Sequence, residues 1–246
     1  MAKRMPYHDV MLNDIRFGLR TLRQNPGFAL TAIISIALAI GANSAIFSLA
    51  DGLVFRPLPV PDASQVVSVR SRTATATPTA FGSSGTFVNV SFPDFLDFRG
   101  QNRSFSGLLA YRVVQVGFSA DPKNQPRLEG GLLVSGNFFS LLGIEPKIGR
   151  GFRPDEDEVP GRDAVIVLQH DFWNREFGED PSVLGRRIRL NSLNFTIIGV
   201  APESFTGMDH ISRPAFFIPA MMGPKLHANY EDLFTNRNRR TFWVKG

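Results

Sequence analysis

Between Arg23 and Asp51 the chain runs for 27 positions without a Lys, Arg, Asp or Glu. Its centre, residues 28–50 (FALTAIISIALAIGANSAIFSLA), constrains everything else in the sequence. A helix over these positions is ~34 Å long at ~1.5 Å per residue. That length crosses the ~30 Å hydrocarbon layer of a bilayer with slight tilt. A buried helix of a soluble protein is one rival, but such helices seldom run this far without a polar face. A cleaved signal peptide is the other. Its apolar region spans roughly 7–15 residues, shorter than this one, although small residues near Ala42 and Ala45 offer a place for cleavage. The expectation is one uncleaved transmembrane helix over 28–50.

Charge sets the expected orientation. Before the span, Lys3, Arg4, Arg16, Arg20 and Arg23 outnumber Asp9 and Asp14 by three, which is most of the net +5 of the chain. Positive flanks stay on the cytoplasmic side, so the N-terminus is expected inside and residues 51–246 outside. Residues 9–24 read as a basic amphipathic helix. Ile15, Leu19 and Leu22 share one face and Arg16, Arg20 and Arg23 another, a pattern suited to the cytoplasmic membrane surface. Asn25-Pro26-Gly27 then breaks the chain. The expected organisation is a cytoplasmic amphipathic segment (1–27), a transmembrane helix (28–50) and an extracytoplasmic domain (51–246).

The span carries more than a lone anchor needs. Ala37, Gly41 and Ala45 recur every four residues, a small face that lets transmembrane helices approach closely. Asn43 adds a polar amide that seeks a partner across a helix interface, worth ~0.6–2 kcal/mol. Ser35, Ser44 and Ser48 can satisfy themselves on backbone carbonyls. Small residues are also common in any membrane helix, so the bland reading stands beside this one. If the helix does pack, its neighbours come from another chain or from sequence beyond this one.

The remaining residues are enough for one domain with a proper core, and 22 Phe supply much of its apolar surface. With no Cys, disulfides and thiol nucleophiles are excluded. After a rigid RPLPVP exit (56–61), strands are expected at 65–72, 108–119, 127–135, 164–168, 186–190 and 195–201, the fourth of them buried. A loop of low complexity covers 73–85. The turn Asp121-Pro-Lys-Asn joins the second and third strands, and Asn191-Ser-Leu-Asn194 joins the last two. Helices are expected from Ser91, by capping-box spacing, to Gln101, over 137–142 with a stop at Gly143, over 171–177, and as one turn after Asp180-Pro181. The fold class is α+β with mixed, mostly antiparallel pairing. Thr241–Lys245 begins another strand pattern just before Gly246, so truncation of a longer domain is expected.

A search for chemistry returns little. His8, His170, His210 and His227 are scattered, without HExxH or a close pair, so no metal site is expected. The run Asp155-Glu156-Asp157-Glu158 lacks calcium-loop register and reads as a solvated loop. There is no GxSxG elbow and no GxxxxGK[ST] loop, hence no catalytic site, no P-loop and no cofactor of its own. Arg237, Arg239 and Arg240 form a basic cluster without an aromatic platform, read as a surface patch and not as a nucleic-acid site. Asn89-Val-Ser91, Asn102-Arg-Ser104 and Asn194-Phe-Thr196 fit the glycosylation pattern, which chance often meets.

Four blocks in order resemble a known family: DIRFGLRTLRQNPGFALTAIISIALAIGANSAIFSLADGLVFRPLP (14–59), SFPDFLDFRGQNRSFSGLLAY (91–111), LLVSGNFFSLLGIEPKIGRGFRPDED (132–157) and FWNREFGEDPSVLGRRIRLNSLNFTIIGVAPESFTG (172–207). Over residues 10–246 the chain is similar to the N-terminal portion of a MacB/FtsX-type ABC transporter permease, with a MacB-like periplasmic core domain, and above all to the acidobacterial duplicated orphan permeases. The resemblance implies a bacterial inner-membrane protein used in efflux or export. It also implies a separate ATPase whose cycle reaches the outer domain as mechanical movement, three further spans near the C-terminus, a homodimer or paired permease half, and a periplasmic adaptor. By the same resemblance the small face and Asn43 contact other spans, the helix 14–24 approaches the ATPase side, and no catalytic residues carry over. Two other classes remain open. A membrane-anchored hydrolase needs clustered Ser, His and acid residues, which this sequence does not show. A single-pass anchored binding or structural module without transport activity is the alternative if the chain folds stably by itself.

Overall fold

The computed structural model describes residues 17–18, 20–51, 58–72, 87–121, 125–208 and 213–246. The chain divides into two compact units, Met1–Arg56 and Pro57–Gly246. In the first, residues 17–18 and 20–24 are helical, Asn25 is not, and α1 (Pro26–Ala50) follows. The break is narrower than Asn25-Pro26-Gly27 suggests. Pro26 has no N–H to lose and a φ that suits the first helical turn, so α1 starts on it and only Asn25 (φ −126°, ψ 70°) leaves the helix. Residues 26–48 have a mean hydropathy of 2.0 in their most apolar window, and none of that window is buried within the structure. Thr31 and Ser35 return their hydroxyls to the carbonyls of Gly27 and Thr31 at 2.7 and 2.8 Å. Every polar group so satisfied is one fewer to strand in hydrocarbon.

The second unit is built on a nine-stranded mixed sheet. In chain order the strands are β1 (Ser68–Val69), β2 (Ser71–Arg72), β3 (Phe87–Val88), β4 (Leu109–Ser119), β5 (Arg127–Val134), β6 (Ile148–Gly149), β7 (Val165–Leu168), β8 (Arg187–Leu190), β9 (Leu193–Val200), β10 (Phe216–Pro219) and β11 (Trp243–Lys245). The path β1-β11-β4-β5-β10-β7-β9-β6 runs across the sheet, and β8 pairs with both β9 and β4. Six strands, β4-β5-β10-β7-β9-β8, therefore close a ring through Phe118↔Leu190. Closure removes free edges from the ring itself, and β1 and β6 remain at the two ends of the path. Two contacts are parallel, β10 with β5 and β7 with β9; the other pairings are antiparallel. The fold is α+β, with the expected mixed pairing.

Side-chain alternation sorts the core into three clusters. Val114, Val116 and Phe118 from β4 meet Phe195, Ile197, Phe216 and Ile218 inside the ring. On the outer side, Tyr111, Leu132 and Phe217 are covered by Phe138 and Phe139 of α3 (Phe138–Leu141) and by Phe205. A third cluster joins Phe92 and Phe95 of α2 (Phe92–Gln101) to Val90, Phe242 and Val244. Gly131 is required by the first: a Cβ there would enter the Phe216 ring.

Several local expectations are met at their physical cause. Ser91 Oγ accepts from the Asp94 N–H at 3.2 Å and caps α2. Residue Gly143, with φ +64°, ends α3. After α4 (His170–Phe177) the chain leaves through left-handed Gly178. Asp180 caps the turn Pro181–Val183, which is a 3-10 turn. Other expectations need correction. Residues 65–72 are not one strand: a 3-10 turn ends at Gln65, β1 pairs with β11, and β2 pairs with β3. The β8–β9 turn is two residues long, because Asn191 adopts φ +52°. Its side chain accepts from Gly117 N–H and donates to Leu226 O of α5 (Gly223–Leu226), both at 2.8 Å. The helix α4 starts one residue earlier than expected, at His170, and is capped by the Gln169 side chain, which accepts from the Phe172 N–H. The central strand β10 has no counterpart among the expected strands. The loop 73–85 and most of the turn after Asp121 lie outside the described residues.

Candidate functional site

In α1, Ala37, Gly41, Asn43 and Ala45 are all exposed. At 100° per residue, Ala37, Gly41 and Ala45 lie along one face and Asn43 on the opposite one. A Cβ on Gly41 would meet nothing. The helix thus presents two different surfaces, one small and one with a single amide, and does not bring the four residues together. Arg20 and Arg23 are exposed on the helical stretch before Asn25; Arg16 lies outside the described residues. Phe17, Thr21, Leu22, Asn25 and Phe28 line an open notch of about 680 Å³ at the bend. By helical spacing, the two arginines sit on the side away from it.

The polar interior of the second unit lies where the sequence suggested solvent. In the run 155–158, Glu156 and Asp157 are buried. Glu156 is held by Arg150 through two bonds of 2.6 and 2.8 Å and by the Arg153 N–H at 2.8 Å. Burial works to raise its carboxyl, but these partners outweigh it and keep it below the ordinary glutamate range. Asp157 instead accepts from two neutral amides, Gly136 N–H at 2.8 Å and Met221 N–H at 3.1 Å. Burial dominates there and pushes its carboxyl up to about 6. Gly136 makes room for it: a Cβ would stand 2.8 Å from the Asp157 Cβ. The reading of this run as a solvated loop fails for half of it: Glu156 turns to Arg150 and Arg153 close by in the chain, and Asp157 to amides 21 and 64 residues away.

Two of the three arginines of the basic cluster are paired within the folded unit. Arg237 bridges Asp94 and Asp97 of α2. Arg239 pairs with Asp232 and stands 5.7 Å from the Tyr230 ring, over which Arg112 also lies at 4.1 Å. Arg237 remains exposed, so the expected surface patch stands and carries these ion pairs. His170 Nε2 is 2.8 Å from Lys147 Nζ; the ammonium has only donors, so the ring nitrogen accepts. Among the described residues, no group of three or more His, Asp or Glu is placed to hold a metal. His8 and His210 lie outside them.

A family profile described as the MacB-like periplasmic core domain matches residues 29–245. The chain belongs to that family. The match takes in the apolar helix together with the folded unit. Over 71 residues this MacB-like chain is 35% identical to a protein of Pseudomonas fluorescens (strain Pf0-1) designated a probable export ATP-binding/permease protein. The aligned stretch is 29% of this chain and 11% of that relative, so the chain spans only a small part of it. Two solved structures share the fold. A domain of a protein described as a permease, from Porphyromonas gingivalis, superposes with a TM-score of 0.53 at 15% identity over 76% of each chain. The periplasmic region of MacB from Actinobacillus actinomycetemcomitans gives 0.50 at 13% identity, over 76% of this chain and 75% of that one. At such identities they establish the fold alone. An apolar helix followed by a domain of MacB type fits a membrane protein.

Proposed function

We propose that the chain is part of the permease subunit of an ABC-type exporter, in which a cytoplasmic ATPase moves an extracytoplasmic domain. The observation that carries this reading is the continuity of the family match, which runs through the span and the folded unit from residue 29 to 245. The permease designation of the Pseudomonas relative supports it. Residues 1–27 lie on the cytoplasmic side, 28–50 cross the inner membrane, and 51–246 face outward. The excess of basic residues before the span supports that orientation. ATP hydrolysis belongs to a separate subunit. Arg16, Arg20 and Arg23 face the ATPase side and the anionic leaflet. The Ala37-Gly41-Ala45 face and Asn43 pack against two different neighbours: further spans of the permease and the second protomer of a homodimer or paired half. A periplasmic adaptor or the substrate meets the outer domain.

Topology is testable on this chain directly, because it contains no Cys. Thr21→Cys should resist an impermeant thiol reagent in intact cells, and Ser192→Cys should react. The reverse pattern would falsify the orientation. Coupling needs the complete permease. It should co-purify with a P-loop ATPase whose hydrolysis rate changes on complex formation, and failure to form any such complex counts against the exporter reading.

A further inference from the structure

The parallel neighbours β5 and β10 end side by side, with Leu132, Leu133 and Val134 paired to Phe217, Ile218 and Pro219. Two residues beyond each end, a backbone N–H turns to the same carboxyl group. Gly136 N–H donates to Asp157 Oδ2 at 2.8 Å and Met221 N–H to Oδ1 at 3.1 Å. Asp157 closes the turn Pro154–Asp157 and is 7% exposed. It borders a cavity of about 220 Å³ that Arg99 of α2 and Glu158 also line. The charged groups around it are few. Arg99 faces it from α2 and favours its ionised form. Glu158 follows it in the same loop, and Glu156 is neutralised by Arg150. The turn at Gly136-Asn137 and the turn Ala220–Met222 contribute no charged side chain.

A carboxylate in this seat bears a cost of burial that outweighs the backbone amides of Gly136, Met221 and Ala220, each of which favours its ionised form. A proton taken from water removes the charge and most of that cost. The seated form then gains over any form that lets Asp157 reach solvent. We infer that Asp157 is a proton-tightened clamp on the ends of β5 and β10, stiffening this end of the ring as the medium acidifies and loosening it as the medium turns alkaline. The placement of its carboxyl at about 6 sets the midpoint in a range that an extracytoplasmic domain can meet. Arg150-Glu156, one residue away, stays ionised through that range and holds the turn itself in shape.

Amide hydrogen exchange on the full chain in detergent, expressed as protection factors at pH 5.0, 6.0 and 7.5, tests this inference. Protection at Gly136 and Met221 should rise about tenfold from pH 7.5 to 5.0, the ratio expected for one group seated near 6 and ~3.9 when exposed. The rise should vanish in Asp157→Asn. In Arg99→Gln it should survive with its midpoint moved to higher pH, because a cation that favours the ionised form is gone. A flat profile in the wild-type chain overturns the clamp, as does a rise that persists in Asp157→Asn or a midpoint that moves down in Arg99→Gln. Should Asp157→Asn fail to fold, the wild-type profile and the Arg99→Gln shift decide between these outcomes.

Discussion

In α1, Ile33, Leu38 and Phe47 are each more than half exposed, whereas Phe216 and Phe217 in β10 have no accessible surface at all. Both segments are apolar, but they are held by different physics. The α1 backbone bonds within itself and asks only for an apolar medium, so what counts is the sum of transfer energies over the span. In the second unit each ring has named neighbours: Phe217 lies 5.8, 5.2 and 5.6 Å from Phe138, Phe139 and Phe205. There the shape at each position matters. A chain can thus spend its hydrophobic residues on two incompatible tasks, and only the surroundings of each residue say which.

The largest effect should fall on a fully buried ring of the folded unit. Phe217→Ala should cost about 3–5 kcal/mol of unfolding free energy, read from chemical denaturation of the full chain followed by near-ultraviolet circular dichroism. Next comes a charge in the span. Leu38→Asp should disfavour membrane integration by about 3–4 kcal/mol while the folded unit keeps its circular dichroism, as an insertion assay and a spectrum together would reveal. If either substitution acted equally on both units, the division between them would be wrong.

A finer contrast lies between adjacent carboxyls. Asp157 sits at about 6 when folded, above its unfolded value. Its contribution is therefore present below the unfolded value and lost as pH rises through the folded one, about 2 kcal/mol between pH 4.5 and 7. Glu156 is held low, so its contribution is present at neutral pH and lost as acid protonates it, below about 4.3. Denaturation midpoints of Asp157→Asn and Glu156→Gln across this range should separate the two slopes; parallel curves would erase the contrast. Smaller again, Ser91→Ala should remove the cap of α2 for about 1 kcal/mol, measurable as a shift in the same midpoint. Smallest is Phe47→Ala, where loss of one exposed ring should cost about 0.5 kcal/mol of insertion and leave the folded unit unmoved.

Much of this architecture was legible where the signal is local. The span announces itself by the absence of charge. Ser91 and Asp180 announce caps, Gly143 announces a helix end, and β4, β5, β8 and β9 follow from alternation broken by turn residues. Illegible were the elements whose meaning lies far along the chain. The strand β10 is four apolar residues, too short to carry a period. The split of 65–72 depends on β11 and β3, which recruit its two halves separately. Of the candidate surface on α1, the residues and their placement on opposite faces follow from helical spacing; their exposure is what the structure adds.

The sequence by itself determined that one segment suits hydrocarbon, that an α+β unit follows it, and that the chain resembles the MacB-like family, because charge, periodicity and motif order are properties of neighbouring residues. Only the tertiary structure decided that the sheet closes on itself through Phe118 and Leu190, and that Glu156 and Asp157 turn inward to different fates. A carboxylate has no preference of its own between water and an interior. Arg150 for one, and the amides of Gly136 and Met221 for the other, decide it, and they are delivered to the site by the fold.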